Sequence, residues 1–196
     1  MFENIATACG QAPWIFGAFF FCMGACVGSF LNVCIYRIPR GKSIVSPPSS
    51  CACGKRIAWY DNIPILSWFV LRGKARCCGR RFSFRYALVE IMTALIYLYL
   101  WQSFPWKAAL ALMFFVSLLI VASFIDIDTM ELPDVLTVGG ILAGVVISAA
   151  APQIHSGAYV QGEPLASSIR SLILSCGGAA FGAGVLYLTR LLAECV

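Results

Sequence analysis

The sequence predicts an all-α, polytopic membrane protein with about five transmembrane helices and one small cytoplasmic loop domain rich in cysteine. Hydrophobic residues make up 60% of the 196 residues and charged residues 12%, with a mean hydropathy of +0.84. An ordinary water-soluble protein does not cover its surface with so few charges. The apolar stretches are continuous and do not alternate with polar residues, which favours membrane-spanning helices over strands.

Five stretches are long enough to cross the hydrocarbon core of a bilayer, which takes about 20 apolar residues in a helix. They cover residues 13–35, 86–104, 106–125, 133–150 and 168–188. Glycines four residues apart predict close helix contacts in the first, fourth and fifth stretches. These pairs are Gly24 with Gly28, Gly140 with Gly144, and Gly178 with Gly182.

The basic residues predict how the chain is oriented in the membrane. The first 36 residues contain no lysine or arginine, so we expect no cleaved signal peptide and the first span stays in the protein. Eleven of the 14 basic residues lie in the loop 36–85. Because cytoplasmic loops carry the excess of Lys and Arg, this loop is predicted to be cytoplasmic, with the N-terminus and the loop 151–167 outside. His155 is expected to be a solvated residue of that external loop.

This topology predicts three segments. Residues 1–35 hold the external N-terminus and the first span, residues 36–85 form the basic cytoplasmic domain, and residues 86–196 hold the remaining membrane helices. The net charge of +5 is mostly explained by this topology. The basic inner surface suits anionic membrane lipid as a partner. Nucleic acid is not an expected partner, because no stacking-aromatic or recognition-helix pattern accompanies the charge.

Four cysteines cluster in the basic loop, namely Cys51, Cys53, Cys77 and Cys78. Disulfides are disfavoured in the reducing cytosol, so the clustered thiols predict a metal site. Four thiolates suit tetrahedral Zn²⁺, which would give a zinc-ribbon-like fold to a loop of about 50 residues with little core of its own. The spacings C-x-C and C-C differ from the usual pair of C-x₂-C knuckles, so reduced thiols that only pack remain the alternative.

A cluster of carboxylates closes the third span, formed by Asp126, Asp128, Glu131 and Asp134. Carboxylates at the edge of a membrane are costly, so the cluster indicates a functional site. Asp128 lies two residues after Asp126, so the two side chains point apart if the helix continues through them. Asp134 follows Pro133 at a predicted helix start, where the macrodipole stabilises a negative charge.

Three further blocks stand in order along the first half of the chain: GSFLNVCIYRIPR at residues 28–40, WYDNIPILSW at 59–68 and RYALVE at 85–90. They resemble the N-terminal half of the bacterial prepilin leader peptidases. The segment DIDTMELPD at 126–134 is similar to the first active-site motif of that family, an Asp followed seven positions later by Pro and then by Asp or Asn. Asp126, Pro133 and Asp134 fill those places.

The resemblance implies an integral inner-membrane aspartic endopeptidase of the Gly-x-Gly-Asp class, which removes the basic leaders of type IV prepilins and of the pseudopilins of type II secretion. Many members then methylate the new N-terminal amine from S-adenosylmethionine and are bifunctional. No glycine-rich nucleotide-binding loop is visible here, so methylation depends on the resemblance alone. Cleavage uses two carboxyl groups, one ionised to activate water and one protonated to polarise the carbonyl. Asp126 is the predicted catalytic residue.

The chain departs from the family at the second carboxyl, because no Gly-x-Gly-Asp occurs in the 196 residues. The nearest string, GAGV at 182–185, is interpreted as a helix-packing glycine pair. We expect the second aspartate to follow the fifth span, beyond Val196, so that this chain is an incomplete form of the peptidase. The less favoured replacements are the resident carboxylates Asp128, Glu131, Asp134 and Glu90.

Two classes of function therefore stay open. The first is a prepilin peptidase. The second is a non-proteolytic membrane module, a scaffold for pilin or secretion assembly, whose zinc loop binds prepilins or assembly proteins without cutting them. A small transporter is the weaker third option, because the carboxylates cluster at a helix end and not at the bilayer midplane.

Overall fold

A computed structural model describes residues 13–51, 53–154 and 163–194. Apart from two isolated β-bridges, the regular structure of these residues is helical, so the all-α prediction is confirmed. The helices are α1 (Pro13–Arg37), α2 (Leu66–Leu71), α3 (Arg85–Ser103), α4 (Trp106–Thr129), α5 (Asp134–Ala150) and α6 (Pro164–Glu194). Short 3₁₀ turns cover Ile38–Arg40, Trp59–Asn62 and Pro152–Ile154.

The five predicted spans coincide with α1 and with α3 to α6. Three segments are long and apolar enough to cross a membrane by length and composition, namely Trp14–Arg40, Trp106–Thr129 and Leu165–Val185. The 17-residue helix α5 is a shorter apolar helix, at the lower end of the spanning range. The predicted external N-terminus, up to residue 12, and His155 lie outside the described residues.

Helix α4 is longer than the sequence predicted, because it continues past residue 125 through Asp126 and Asp128 to Thr129. Met130 ends it in the left-handed conformation at φ +56°, and its N–H donates to the Asp126 carbonyl at 2.8 Å. The Thr129 hydroxyl lies 2.9 Å from the carbonyl of Ile125, one turn earlier. These bonds complete the last turn, so both aspartates belong to the helix and not to the following loop.

The chain divides into two compact units. One comprises the residues up to Pro105 and Leu112–Pro133, and therefore α1 to α3 with most of α4. In this unit α1 packs closely against α3, since a Cβ added at Gly24 would lie 2.7 Å from the Ala94 Cα and one added at Gly28 would lie 2.7 Å from the Glu90 Cα. The predicted close contact at these glycines is confirmed.

Hydrogen bonds add to this packing in the first unit. The Asn32 amide donates to the Tyr86 carbonyl at 3.0 Å, which joins the end of α1 to the start of α3. A 2.9 Å bond between the Tyr97 and Ser117 hydroxyls joins α3 to α4. The start of α3 is thus bonded to α1, and its second half is bonded to α4.

The second unit comprises Trp106–Ala111 and the residues from Asp134 onward. Here serines join α5 to α6, because the hydroxyls of Ser148 and Ser171 lie 2.9 Å apart and that of Ser168 donates to the Ala149 carbonyl at 3.0 Å. The glycine contacts predicted for these helices are not formed in the described part of the chain. A Cβ at Gly144, Gly178 or Gly182 would meet nothing within 4 Å.

Candidate active site and metal centre

Asp126 lies in the last turn of α4 with its side chain exposed. Among the described residues its carboxylate has no hydrogen-bond or ion-pair partner. The C-terminal end of a helix carries a partial negative charge, so the helix itself does not favour a carboxylate at this position. The result is an unpaired acidic group at the end of an apolar helix, accessible to a bound molecule.

Asp128 is engaged differently. The Arg85 guanidinium donates to both of its carboxylate oxygens, Nη1 to Oδ1 at 2.5 Å and Nη2 to Oδ2 at 2.6 Å. The Phe124 ring lies 5.4 Å from the centre of the same guanidinium. This two-pronged ion pair joins the start of α3 to the end of α4 and offsets the negative charge that Asp128 adds there. Asp126 and Asp128 thus have separate environments, as two positions two residues apart on one helix should.

Glu90 and Glu131, which lie in the same compact unit as Asp126, do not pair with it. Glu90 is half-buried and accepts a hydrogen bond from the Ile65 backbone N–H at 2.7 Å. Glu131 is exposed in the turn after α4, and Asp134 is exposed at the first residue of α5. Asp134 therefore occupies the helix N-terminus where the sequence predicted it, and Glu90 contacts the cysteine-rich loop.

The four loop cysteines come together in space despite their unusual spacing. Their Sγ atoms all lie within 4.8 Å of one another, with Cys51 and Cys78 3.5 Å apart and Cys53 and Cys77 3.4 Å apart. All four are free thiols. Zinc–sulfur bonds of about 2.3 Å in a tetrahedron place the sulfurs roughly 3.8 Å apart. The cluster therefore has the donor set and nearly the dimensions that one metal ion requires.

Two short hairpin arms present these cysteines. In the first arm Ser50 pairs with Arg56, and in the second Lys74 pairs with Arg81. Each arm turns at a glycine directly after a cysteine, Gly54 at φ +85° and Gly79 at φ +67°, a conformation that glycine adopts without strain. The two arms bring the four sulfurs together even though the two cysteine spacings differ.

The thiols of the cluster influence one another. The Cys53 backbone N–H, followed by the thiols of Cys77 and Cys78, lowers the pKa of Cys51 to about 7. The hydrogen bond to Cys51, followed by that to Cys53, raises the pKa of Cys77 to about 12. One thiolate therefore forms easily while a second beside it is resisted, and a divalent cation among the sulfurs would stabilise both.

Two ion pairs of the site were not foreseen from the sequence, and both involve residues of the recognised blocks. Arg85 pairs with Asp128, and Arg76 donates to Asp61 from Nε at 3.1 Å and from Nη2 at 2.9 Å. The second pair fixes the Cys77 arm to the 3₁₀ turn Trp59–Asn62. Opposite charges in and near the blocks were the available signal, but the sequence does not show which charges meet.

The sequence is similar to known proteins over most of its length. Residues 22–104 match the family model described as the bacterial peptidase A24 N-terminal domain, and residues 113–194 match the type IV leader peptidase family. The chain is 47% identical over 136 residues to a prepilin leader peptidase/N-methyltransferase of Myxococcus xanthus (strain DK1622), an alignment that covers 68% of this chain and 41% of that protein.

Two other relatives have the same name, prepilin leader peptidase/N-methyltransferase. The chain is 38% identical over 165 residues to the protein of Klebsiella pneumoniae, covering 79% of this chain and 72% of the relative. It is 39% identical over 160 residues to the protein of Pectobacterium carotovorum subsp. carotovorum, covering 69% and 56%. The chain thus spans between 41% and 72% of the length of these three relatives. No solved structure matches the chain.

Proposed function

The chain belongs to the prepilin leader peptidase family, and on that premise we propose that it contributes the Asp126 half of an inner-membrane aspartic endopeptidase that cleaves the leaders of type IV prepilins or pseudopilins. The observation that carries the proposal is the Asp126 carboxylate. It is exposed, unpaired among the described residues, and stands where the family motif has its aspartate. No structural role visible in the described residues accounts for an acid at this helix end.

In the proposed reaction Asp126 acts with a second carboxyl group. The ionised member of the pair takes a proton from water, whose oxygen attacks the scissile carbonyl, while the protonated member donates its proton to the carbonyl oxygen. Collapse of the tetrahedral intermediate breaks the C–N bond and returns a proton to the amine. In the family the second carboxyl belongs to the Asp of a Gly-x-Gly-Asp motif. This motif does not occur in these 196 residues.

The Arg85–Asp128 pair is proposed to position Asp126. The last turn of a helix frays easily, and the bidentate contact ties this turn to the start of α3. Arg85 and Asp128 then hold the backbone of α4 without touching the substrate.

We further propose that Cys51, Cys53, Cys77 and Cys78 hold one structural Zn²⁺. The donor set of four thiols and their convergence within 4.8 Å support this assignment. The ion would fold the loop and supply no step of the cleavage.

Segment 36–85 is then the cytoplasmic domain, between the external N-terminus with the first span (1–35) and the membrane helices of 86–196. Methylation from S-adenosylmethionine is supported only by the word N-methyltransferase in the names of the relatives.

A binding module without proteolysis is the second candidate function. One observation favours it, namely that no carboxylate is bonded to Asp126 among the described residues of its own compact unit. In that case the cysteine-rich domain would hold prepilins for an assembly machinery.

The deciding experiment compares two proteins in lipid nanodiscs, this 196-residue chain and the same chain continued through a helix and Gly-x-Gly-Asp taken from a longer relative. Each is incubated with a prepilin that carries its leader, and the product is identified by mass. We expect the shortened pilin only with the continued chain. Stoichiometric prepilin binding with no product from either protein would establish the binding module instead.

A further inference from the structure

Helix α2 and the turn before it form an apolar surface whose partner is not among the described residues. We propose that this surface is a membrane-inserted anchor, with α2 lying in the interface of the leaflet where α1 ends and α3 begins. Its ligand is the lipid bilayer, with anionic headgroups beside it. The inference does not depend on peptidase activity.

The exposed side chains of α2 lie on one face. Leu66, Phe69 and Val70 follow the i, i+3, i+4 spacing that places residues together on a helix, and their exposed fractions are 60%, 53% and 72%. Trp59, in the preceding 3₁₀ turn, is 80% exposed. Large apolar side chains grouped in this way on a six-residue helix are typical of a contact surface and not of a solvated loop.

The opposite face of α2 already packs against the protein. The Trp68 ring makes edge contacts with Phe84, with centroids 4.8 Å apart, and also lies against Gly73. This packing holds α2 to its own domain and leaves the Leu66, Phe69 and Val70 face outward. The outward face is therefore not required for the local fold, and its exposure needs another explanation.

One contact sets the depth of α2 relative to the membrane helices. The Ile65 N–H, just before α2, donates to the Glu90 carboxylate at 2.7 Å. Glu90 lies five residues into α3, which at 1.5 Å per residue is roughly 7.5 Å from the helix start. Interfacial helices bury their apolar face about 5–10 Å into the headgroup and acyl boundary. With α3 proposed to enter the bilayer at Arg85, the contact brings the start of α2 into this range of depths.

The backbone at Ile65 supports a specific role for this contact. Ile65 has φ +65°, a region that β-branched residues rarely occupy. The hydrogen bond from Ile65 to Glu90 stabilises this backbone conformation, after which the chain enters α2. A positive φ at an isoleucine that is bonded to a half-buried acid indicates a fixed position for this segment and not a solvated loop.

The charges around α2 complement an anionic bilayer surface. Arg72 caps the C-terminal end of α2 and Lys74 follows, both with exposed side chains. Apolar residues flanked by Lys and Arg are the pattern of helices that bind anionic lipid.

Photo-crosslinking tests the proposal directly. The 196-residue chain, purified with zinc in the buffer, carries p-benzoylphenylalanine at position 69 and is placed in nanodiscs of phosphatidylcholine with phosphatidylglycerol. The matched control carries the same residue at position 45, where the native Val45 is 86% exposed in the loop after α1. After illumination we expect lipid adducts, identified by mass, to be several-fold more abundant at position 69 than at position 45.

Adducts at position 69 to a second protein chain, or lipid adducts no more abundant than at position 45, would overturn the proposal. The role of Glu90 is tested in the same assay. Glu90→Gln keeps an acceptor oxygen and should leave the adduct yield unchanged, whereas Glu90→Leu should lower it to the level of position 45. An unchanged yield in Glu90→Leu would remove Glu90 as the depth anchor, and the comparison of positions 69 and 45 does not depend on that variant folding.

Discussion

Two aspartates in one helical turn of this protein have different surroundings. Asp128 is held by both prongs of Arg85, whereas Asp126 has no partner among the described residues. A carboxylate that forms a bidentate ion pair with arginine is poorly suited to proton transfer, because the arginine stabilises its ionised form and occupies both of its oxygens. The unpaired acid is the better general acid or base, and this difference separates catalytic from structural candidates in the cluster.

This contrast predicts how two matched substitutions behave in the chain continued through Gly-x-Gly-Asp. Asp126→Asn removes the titrating group and should lower the cleavage rate by about 10²–10⁴-fold. Asp128→Asn keeps one acceptor for Arg85 and should lower the rate much less while decreasing thermal stability. Rates come from the mass of the pilin product and stability from unfolding in detergent. Equal loss of cleavage in both variants would contradict the assignment of Asp126 as the sole acid of this pair.

At the scale of elements, the two hairpin arms explain how C-x-C and C-C spacings form one site. Each arm is closed by a bond across its base, from the Cys51 N–H to the Lys55 carbonyl and from the Ala75 N–H to the Arg80 carbonyl, both at 2.8 Å. The second arm places Cys77 and Cys78 after Ala75, and its extra residue lets both sulfurs face the first arm. The fold of the arms, and not the spacing alone, creates the four-sulfur cluster.

We expect one zinc ion per chain by elemental analysis. Ser substitution of any one of Cys51, Cys53, Cys77 and Cys78 should lower the zinc content well below one, whereas Cys22→Ser, an exposed cysteine of α1, should not. Metal binding needs thiolates, so protons compete with zinc as the pH falls and the ion should be released in acid, not in base. Full zinc content in all four loop variants would exclude the site.

The packing of α1 against α3 gives a second element-scale prediction. Gly24→Ala places a methyl group 2.7 Å from the Ala94 Cα, a backbone atom that cannot turn away, and overpacking of this kind costs about 1–3 kcal/mol. Gly178→Ala adds the same methyl group where nothing lies within 4 Å. The unfolding midpoint of the first variant should fall and that of the second should not. Similar midpoints would show that α1 and α3 are less tightly packed.

For the whole molecule, the distribution of basic residues is the main constraint on orientation. The loop 36–85 holds eleven of the 14 lysines and arginines, and positive charges of this density resist translocation. We therefore predict that the ends of α1 and α3 that border this loop lie on the cytoplasmic side. The Asp128–Arg85 contact joins the end of α4 to the start of α3, so the end of α4 is predicted to lie on that same side.

Protease accessibility checks this orientation. A protease site inserted after Ser43 should be protected in intact spheroplasts, because the loop 36–85 is predicted to be cytoplasmic, and should be cut after the membrane is opened. The matched site after Glu163, ahead of α6, should be cut in intact spheroplasts. The reverse pattern would invert the topology and would place the cysteine cluster in an oxidising compartment, where a disulfide replaces the metal as the expected state.

Sequence patterns were sufficient to identify the membrane class, the positions of the five helices, the basic loop and the residues of the cysteine and carboxylate clusters. Hydropathy, charge and motif spacing are local properties of the chain, so neighbouring residues reveal them. Which groups meet depends on the tertiary structure. Arg85 and Asp128 are 43 residues apart, and Ile65 and Glu90 are 25 apart. Contacts between distant residues depend on how helices pack and where they end, as the extension of α4 through Asp128 shows, and no local pattern encodes that geometry.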